Sequence, residues 1–233
     1  MSSEGRGQTS EVRKNKKGRR EQMAKGDKLR KEAWLKRRDS FRRKTEFRGA
    51  PFKRILIVCE GEKTEPDYLK RFRVTSAVVE IVGKGYNTLS LVREAIRLKE
   101  SARENNEPYD EVWCVFDRDS FPAHNVDNAW QLARKRKLKT ALSNEAFELW
   151  FVLHFDYITA AHTRQEYQDM LSDRLGRRYE KNDPEMYADL LHRQKQAIEN
   201  AQKLMIQYNP RTSSQDNPCT EVHELVMELN RQK

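Results

Sequence analysis

Two apolar runs constrain the fold of this chain most: Ile55-Leu56-Ile57-Val58-Cys59 and Val112-Trp113-Cys114-Val115-Phe116. Each has strand length, and neither alternates with polar residues. A strand that is apolar on both sides must be covered on both sides. That is the condition of an interior strand in a parallel sheet between helices. The segments around them fit the same scheme. Residues 77–82 read as a second strand ending in Gly83-Lys84-Gly85, and 139–142 as a short fourth. Thr64 is placed to cap a helix, with Pro66 in its first turn and Asp67 closing a capping box. A longer helix is expected from Asn87 or Thr88 to about Glu104, with Leu89, Val92 and Ile96 on one face. Further helices are expected over 126–137 and 145–155. Alternation of this kind implies an α/β fold with a mostly parallel central sheet of about four strands.

Beyond residue 158 the chain reads as mostly helical. Leu191, Ile198 and Met205 recur every seven residues between 185 and 208, and Val222, Leu225, Val226 and Leu229 form another stripe. The expected organisation is therefore a basic, mostly disordered arm over 1–50, an α/β domain over 51–158, and a helical extension over 159–233 packed on that domain.

Charge separates the arm from the rest. Of the 46 Lys and Arg and 36 Asp and Glu, 18 bases and 7 acids lie in residues 1–50. The remaining 28 bases and 29 acids nearly cancel, so the net charge of +10 belongs to the arm. Such a segment cannot bury enough apolar surface to offset its ordering entropy. It can still bind phosphates, with Arg42, Arg43 and Lys44 beside Phe41 and Phe47 as contacts to nucleic acid. No run of about 20 apolar residues is present, so a membrane partner is not expected. Cys59, Cys114 and Cys219 are odd in number and widely spaced, which favours neither a disulfide framework nor a zinc site. With no apolar segment behind the early basic residues, a reducing cytoplasm is the expected location.

In open α/β sheets ligands bind beyond the carboxyl ends of the strands. The first run is followed by Glu60-Gly61-Glu62 and the third strand by Asp117-Arg118-Asp119. Adjacent strands would bring these carboxylates to one edge, where they repel unless a cation joins them. Hard oxygen ligands suit Mg²⁺ or Mn²⁺. A lone Asp-x-Asp is weak evidence, because Asp and Gly favour strand-end turns anyway. A strand-Glu-Gly followed roughly 55 residues later by a strand-Asp-x-Asp is considerably stronger. Lys63 and Arg118 beside the acids could bind a phosphate oxygen or pair with a carboxylate. Gly83-Lys84-Gly85 lacks the spacing of a P-loop. Glu65 reads as first-turn helix chemistry. His154, Trp150, Phe151 and Phe155 read as core, and His223 as decorating a helix.

The two acidic motifs resemble the Toprim domain of topoisomerases, bacterial primases and the overcoming-lysogenization-defect nucleases. A closer resemblance is to the RloB-like family of abortive-infection proteins. It rests on ILIVCEGEKTE at 55–65, Gly83-Lys84-Gly85, VFDRD at 115–119, SNEAFELWFVLHF at 143–155 and NPCTEV at 217–222. The chain departs from that family at Glu145, where Pro is usual. The resemblance implies a Toprim-like fold, divalent-metal nuclease chemistry on DNA or RNA, and a role in phage defence beside an ATPase of the AAA or ABC class. It carries Glu60 over as the acid that binds metal or handles a proton, and Asp117 and Asp119 as metal ligands. Glu148 is carried over as a supplement for a second metal. A non-cleaving, nucleic-acid-binding subunit of an ATPase complex is the alternative, and nucleotidyl transfer a lesser option. The sequence does not set the oligomeric state, and a homo-oligomer is compatible with it.

Overall fold

The structure is a computed structural model that describes residues 52–83, 85, 87–118 and 122–233. The basic arm, including Arg42, Arg43 and Lys44, lies outside the described residues, as does Asp119. The elements in chain order are β1 (Lys53–Cys59), α1 (Thr64–Leu69), β2 (Ala77–Gly83), α2 (Thr88–Glu104), β3 (Glu111–Asp117), α3 (Ala123–Lys135), β4 (Lys139–Asn144), α4 (Glu148–Val152), α5 (Arg164–Leu175), α6 (Met186–Leu191), α7 (Gln194–Ile206), β5 (Cys219–Thr220) and α8 (Val222–Arg231).

The sheet order is β2-β1-β3-β4-β5. β1 pairs in parallel with β2 and β3, and β3 in parallel with β4. Only the two-residue β5 is antiparallel. Side-chain alternation divides the interior into two cores. Ile55, Ile57, Cys59, Trp113 and Val115 face one side, packed with residues of α1 and of α4 to α8. Leu56, Val58, Val112, Cys114 and Phe116 face the other, packed with α2 and α3. All five residues from Ile55 to Cys59 are inaccessible to solvent, which is why the run shows no polar alternation. Each such side chain contributes on the order of 1.5–3 kcal/mol by leaving water.

This order creates a crevice. From β1 the chain enters α1 on one face; from β3 it enters α3 on the other. The two connections diverge, leaving an opening above the carboxyl ends of β1 and β3. That is the topological switch point where open α/β sheets bind ligands.

Several local expectations differ from what is observed. The sheet has five strands rather than about four, because Cys219–Thr220 of the C-terminal segment pairs with Ser143 and Asn144. That pairing prolongs β4 to Asn144 and delays the following helix, which spans Glu148–Val152 rather than 145–155. Thr64 does not cap α1. Lys63 occupies that position, and the Thr64 hydroxyl instead donates to the Lys181 carbonyl at 2.5 Å. The stretch over 185–208 holds two helices, α6 and α7, and the buried stripe is Leu190, Ala197, Ala201 and Leu204 rather than the expected Leu191, Ile198 and Met205. Leu191 is exposed, while Ile198 and Met205 are only partly covered. Asn87 does cap α2, accepting from the Ser90 main-chain N–H at 3.0 Å. No described helix is long and apolar enough to cross a membrane.

Candidate active site

Glu60 stands immediately beyond β1, and its main chain continues the sheet. Its N–H donates to Val115 O and its carbonyl accepts from the Gly85 N–H, both at 2.9 Å. The side chain spans the crevice. Oε2 accepts from the Asp117 main-chain N–H at 3.2 Å, and Oε1 from the buried Thr88 hydroxyl at 3.4 Å. Asp117 closes β3, one position before Arg118, whose N–H donates to Ser143 O at 2.8 Å. Glu60 and Asp117, 57 residues apart in the chain, thus meet across the switch point.

A cleft of about 430 Å³ opens there, lined by Glu60, Glu65, Asp117, Glu148, Arg164 and Lys181 among others. Glu148, in the first turn of α4, reaches this cleft and is nearly inaccessible. Its Oε1 accepts from Gln168 Nε2 at 3.1 Å and from the Tyr179 hydroxyl at 3.5 Å. Lys63 is exposed on the cleft wall, whereas Arg118, half-buried next to Asp117 in the chain, does not line the cleft. Glu145, partly exposed, precedes α4 and does not line the cleft.

Two further residues of the cleft lie outside the sequence expectations. Glu65 is 7% exposed and folds back over Gly61, where a Cβ would lie 2.0 Å from Glu65 Oε2. Only glycine at position 61 lets that carboxylate rest where it does. Arg164 opens α5 in the helical extension and places a terminal nitrogen 3.2 Å from Asp117 Oδ2, with Nε 4.0 Å from Glu148 Oε2. A capping box of Thr163 and Glu166 fixes where α5 begins and so where Arg164 sits. That Thr-x-x-Glu pattern is a signal the sequence carries. The proximity of Arg164 to Asp117, 47 residues away, is not.

The electrostatics follow from burial. Removal from water pushes the Asp117 carboxyl well above the usual carboxylate range, and the nearby Glu65 and Glu148 push it further. Glu65 is raised for the same first reason, with Glu148 adding to it. In both, Arg164 acts in the opposite direction by favouring the charged form. Asp117 Oδ1 is buried without a hydrogen-bond partner among the described residues. A buried acceptor left unmatched is costly and marks a place for a ligand. The donor chemistry, all carboxylate oxygen, fits a hard divalent cation. Among the described residues, no three His, Cys, Asp or Glu side chains are placed together to hold a metal ion. Asp119, the remaining expected ligand, lies outside the described residues.

His154 and His223 are buried. Their Nδ1 atoms meet the carbonyls of Trp150 and Thr220, and burial lowers both pKa values, that of His154 to about 4. Trp150 and Phe151 are core, as expected, and Phe155 packs at its margin. The three cysteines are free and buried.

Comparison with known proteins adds one assignment. No curated protein and no solved structure matches the chain. The model of the RloB-like protein family matches residues 55–229, a stretch that contains every described residue of the cleft, and the chain belongs to that family.

Proposed function

We propose that this protein is a divalent-metal-dependent nuclease whose domain is Toprim-like. One observation carries the reading: Glu60 and Asp117 meet at the switch point of the sheet, where Asp117 lines the cleft and its buried Oδ1 has no hydrogen-bond partner among the described residues. Asp117, Asp119 and Glu60 would hold Mg²⁺ or Mn²⁺, and Glu148 would supplement them. A bound ion of that kind supplies an activated water and neutralises charge on a phosphodiester in flight. The chain's own residues do the rest. Glu60, held by Thr88 and the Asp117 N–H, keeps its carboxylate at the edge of the crevice. Lys63 and Lys181 supply positive charge where a phosphate backbone would enter. Arg164 neutralises Asp117 and Glu148 until substrate or metal arrives.

The role as effector of an abortive-infection phage-defence system, paired with an AAA- or ABC-type ATPase, rests on the family resemblance alone. The alternative, a subunit that grips nucleic acid without cutting, draws support from Arg164, which already supplies Asp117 with a cation. Incubation of the full chain with plasmid DNA and with total RNA, in Mn²⁺, in Mg²⁺ and in EDTA, separates the two. The nuclease reading expects metal-dependent products that vanish in Asp117→Asn. Retention of substrate binding with no cleavage, with and without the ATPase, would leave the binding subunit.

A further inference from the structure

The acid cleft does not end at its carboxylates. Beside it, sharing Thr64, Lys181 and Asn182 as lining, lies a second pocket of about 420 Å³. The Thr64 hydroxyl holds the Lys181 carbonyl against the start of α1, so the loop carrying Lys181 and Asn182 forms a wall common to the two. The chemistry changes across that wall. On the acid side Glu60, Glu65, Asp117 and Glu148 stand in the walls; beyond it Tyr68, Phe151, Tyr179, Met186 and Tyr187 do. The ionisable groups of the second pocket balance, three basic against three acidic. Asp67 is paired with Lys70 at 3.7 Å, and Asp183 with Arg177. Its volume falls within the range of pockets that take small organic groups.

We infer that this second pocket receives an unpaired nucleobase of the strand whose phosphate lies at the carboxylates, so that the substrate is single-stranded or has a base turned out of its helix. The inference rests on the nuclease reading for the placement of the phosphate. An uncharged aromatic base suits a pocket that carries four aromatic side chains and is neutral in sum. Tyr187 is the stacking residue. It is half-buried and lines the pocket, and its ring is held before any ligand arrives. It meets Phe72 edge-on, with centroids 5.1 Å apart at 69°, and tilts against Tyr68 at 5.5 Å. A ring already fixed loses little freedom when a base stacks on it. Lys70, Arg71 and Lys181 are exposed at the rim, where phosphates on either side of the base would pass. A base stacked within a duplex cannot enter a concave pocket, so it must be unpaired first.

The test is binding of the full chain, in EDTA, to an oligonucleotide carrying one 2-aminopurine, as a single strand and as a blunt duplex. Affinity is read by anisotropy and stacking by quenching of the 2-aminopurine. Wild type is expected to bind the single strand at least tenfold tighter and to quench it. Tyr187→Leu keeps apolar packing on Phe72 and Tyr68 but removes the aromatic face. It is expected to lose about tenfold in single-strand affinity, together with the quench, and to leave duplex binding unchanged. Tyr187→Phe restores both. Equal affinity of wild type for the two forms, or equal quenching by wild type and Tyr187→Leu, overturns the inference. Cleavage is not needed for this readout. Tyr187-dependent stacking in a protein that never cuts refutes the nuclease reading alone; metal-dependent cutting with no Tyr187 effect refutes the base pocket alone.

Discussion

Replacing Arg164 by Met keeps the aliphatic stem and removes the guanidinium that stands 3.2 Å from Asp117 and 4.0 Å from Glu148. Breaking a fully buried ion pair costs about 3–5 kcal/mol, because the surviving charge stays desolvated. Asp117 and Glu148 are largely buried, but the Arg164 side chain is 28% exposed, and water screens part of the interaction. The expected loss at neutral pH is therefore about 1–3 kcal/mol. In a folded unit of this size that lowers Tm by roughly 3–10 °C. The sign of the pH dependence is fixed by the raised pKa values of Asp117 and Glu65. A carboxyl whose folded pKa lies above its unfolded value favours the fold at acid pH, and that contribution is lost as pH rises through the folded pKa. Without Arg164 both values rise further, so the deficit of the variant should be full at about pH 7.5 and shrink as pH falls toward about 5. Mn²⁺ should restore more stability to the variant than it adds to wild type, since Arg164 then no longer competes with the ion for Asp117. Thermal denaturation followed by circular dichroism, at both pH values and with Mn²⁺ or EDTA, measures all of this. A deficit independent of pH, or equal Mn²⁺ stabilisation of the two proteins, would refute the reasoning.

Two glycines should behave oppositely. Gly61→Ala meets only the carboxylate tip of Glu65, which can swing away, so Tm should change little while Mn²⁺ affinity falls; unchanged affinity would remove Glu65 from the site. Gly83→Ala meets the Gly61 carbonyl at 2.6 Å and the Pro66 ring at 2.7 Å, neither of which yields, so it should cost about 1–3 kcal/mol in denaturant titration. His154, with its pKa lowered to about 4 from 6.5, should show no imidazole titration by NMR between about pH 5.5 and 8. Because the unfolded state takes up that proton first, stability should fall as pH drops from about 6.5 toward 4, and His154→Phe should flatten that slope. Removing residues 1–48 should reduce the salt dependence of nucleic-acid binding by about 0.9 in log–log slope for each phosphate the arm neutralises, and an unchanged slope would show that the arm does not bind the backbone.

How far the sequence reveals the structure depends on how local each signal is. β1 and β3 are legible because burial on both faces demands apolar residues at every position. Glu60 and Asp117 are legible because each lies at the end of such a run, so parallel pairing carries them to one edge. β5 is not legible: two residues have no period, and its pairing with β4 joins positions 77 residues apart. The buried face of α7 is hidden because Ala197 and Ala201 carry little hydrophobic signal, whereas the larger Leu191 stands in solvent. Glu65 does not stand out as a cleft residue, because an acid in a first helical turn already has a local explanation. Its turn back into the cleft depends on the missing Cβ of Gly61. Arg164 and Tyr179 come from the extension, and only tertiary packing tells that they meet Asp117 and Glu148.

Calorimetric titration with Mn²⁺ of wild type, Asp117→Asn, Asp119→Asn and Glu148→Gln tests the central claim most directly. Wild type is expected to bind the ion, both aspartate variants to lose it, and Glu148→Gln either to bind more weakly or to lose one of two binding events. Equal Mn²⁺ binding by wild type and Asp117→Asn would contradict the claim, because the Asp117 carboxylate at the switch point would then hold no ion.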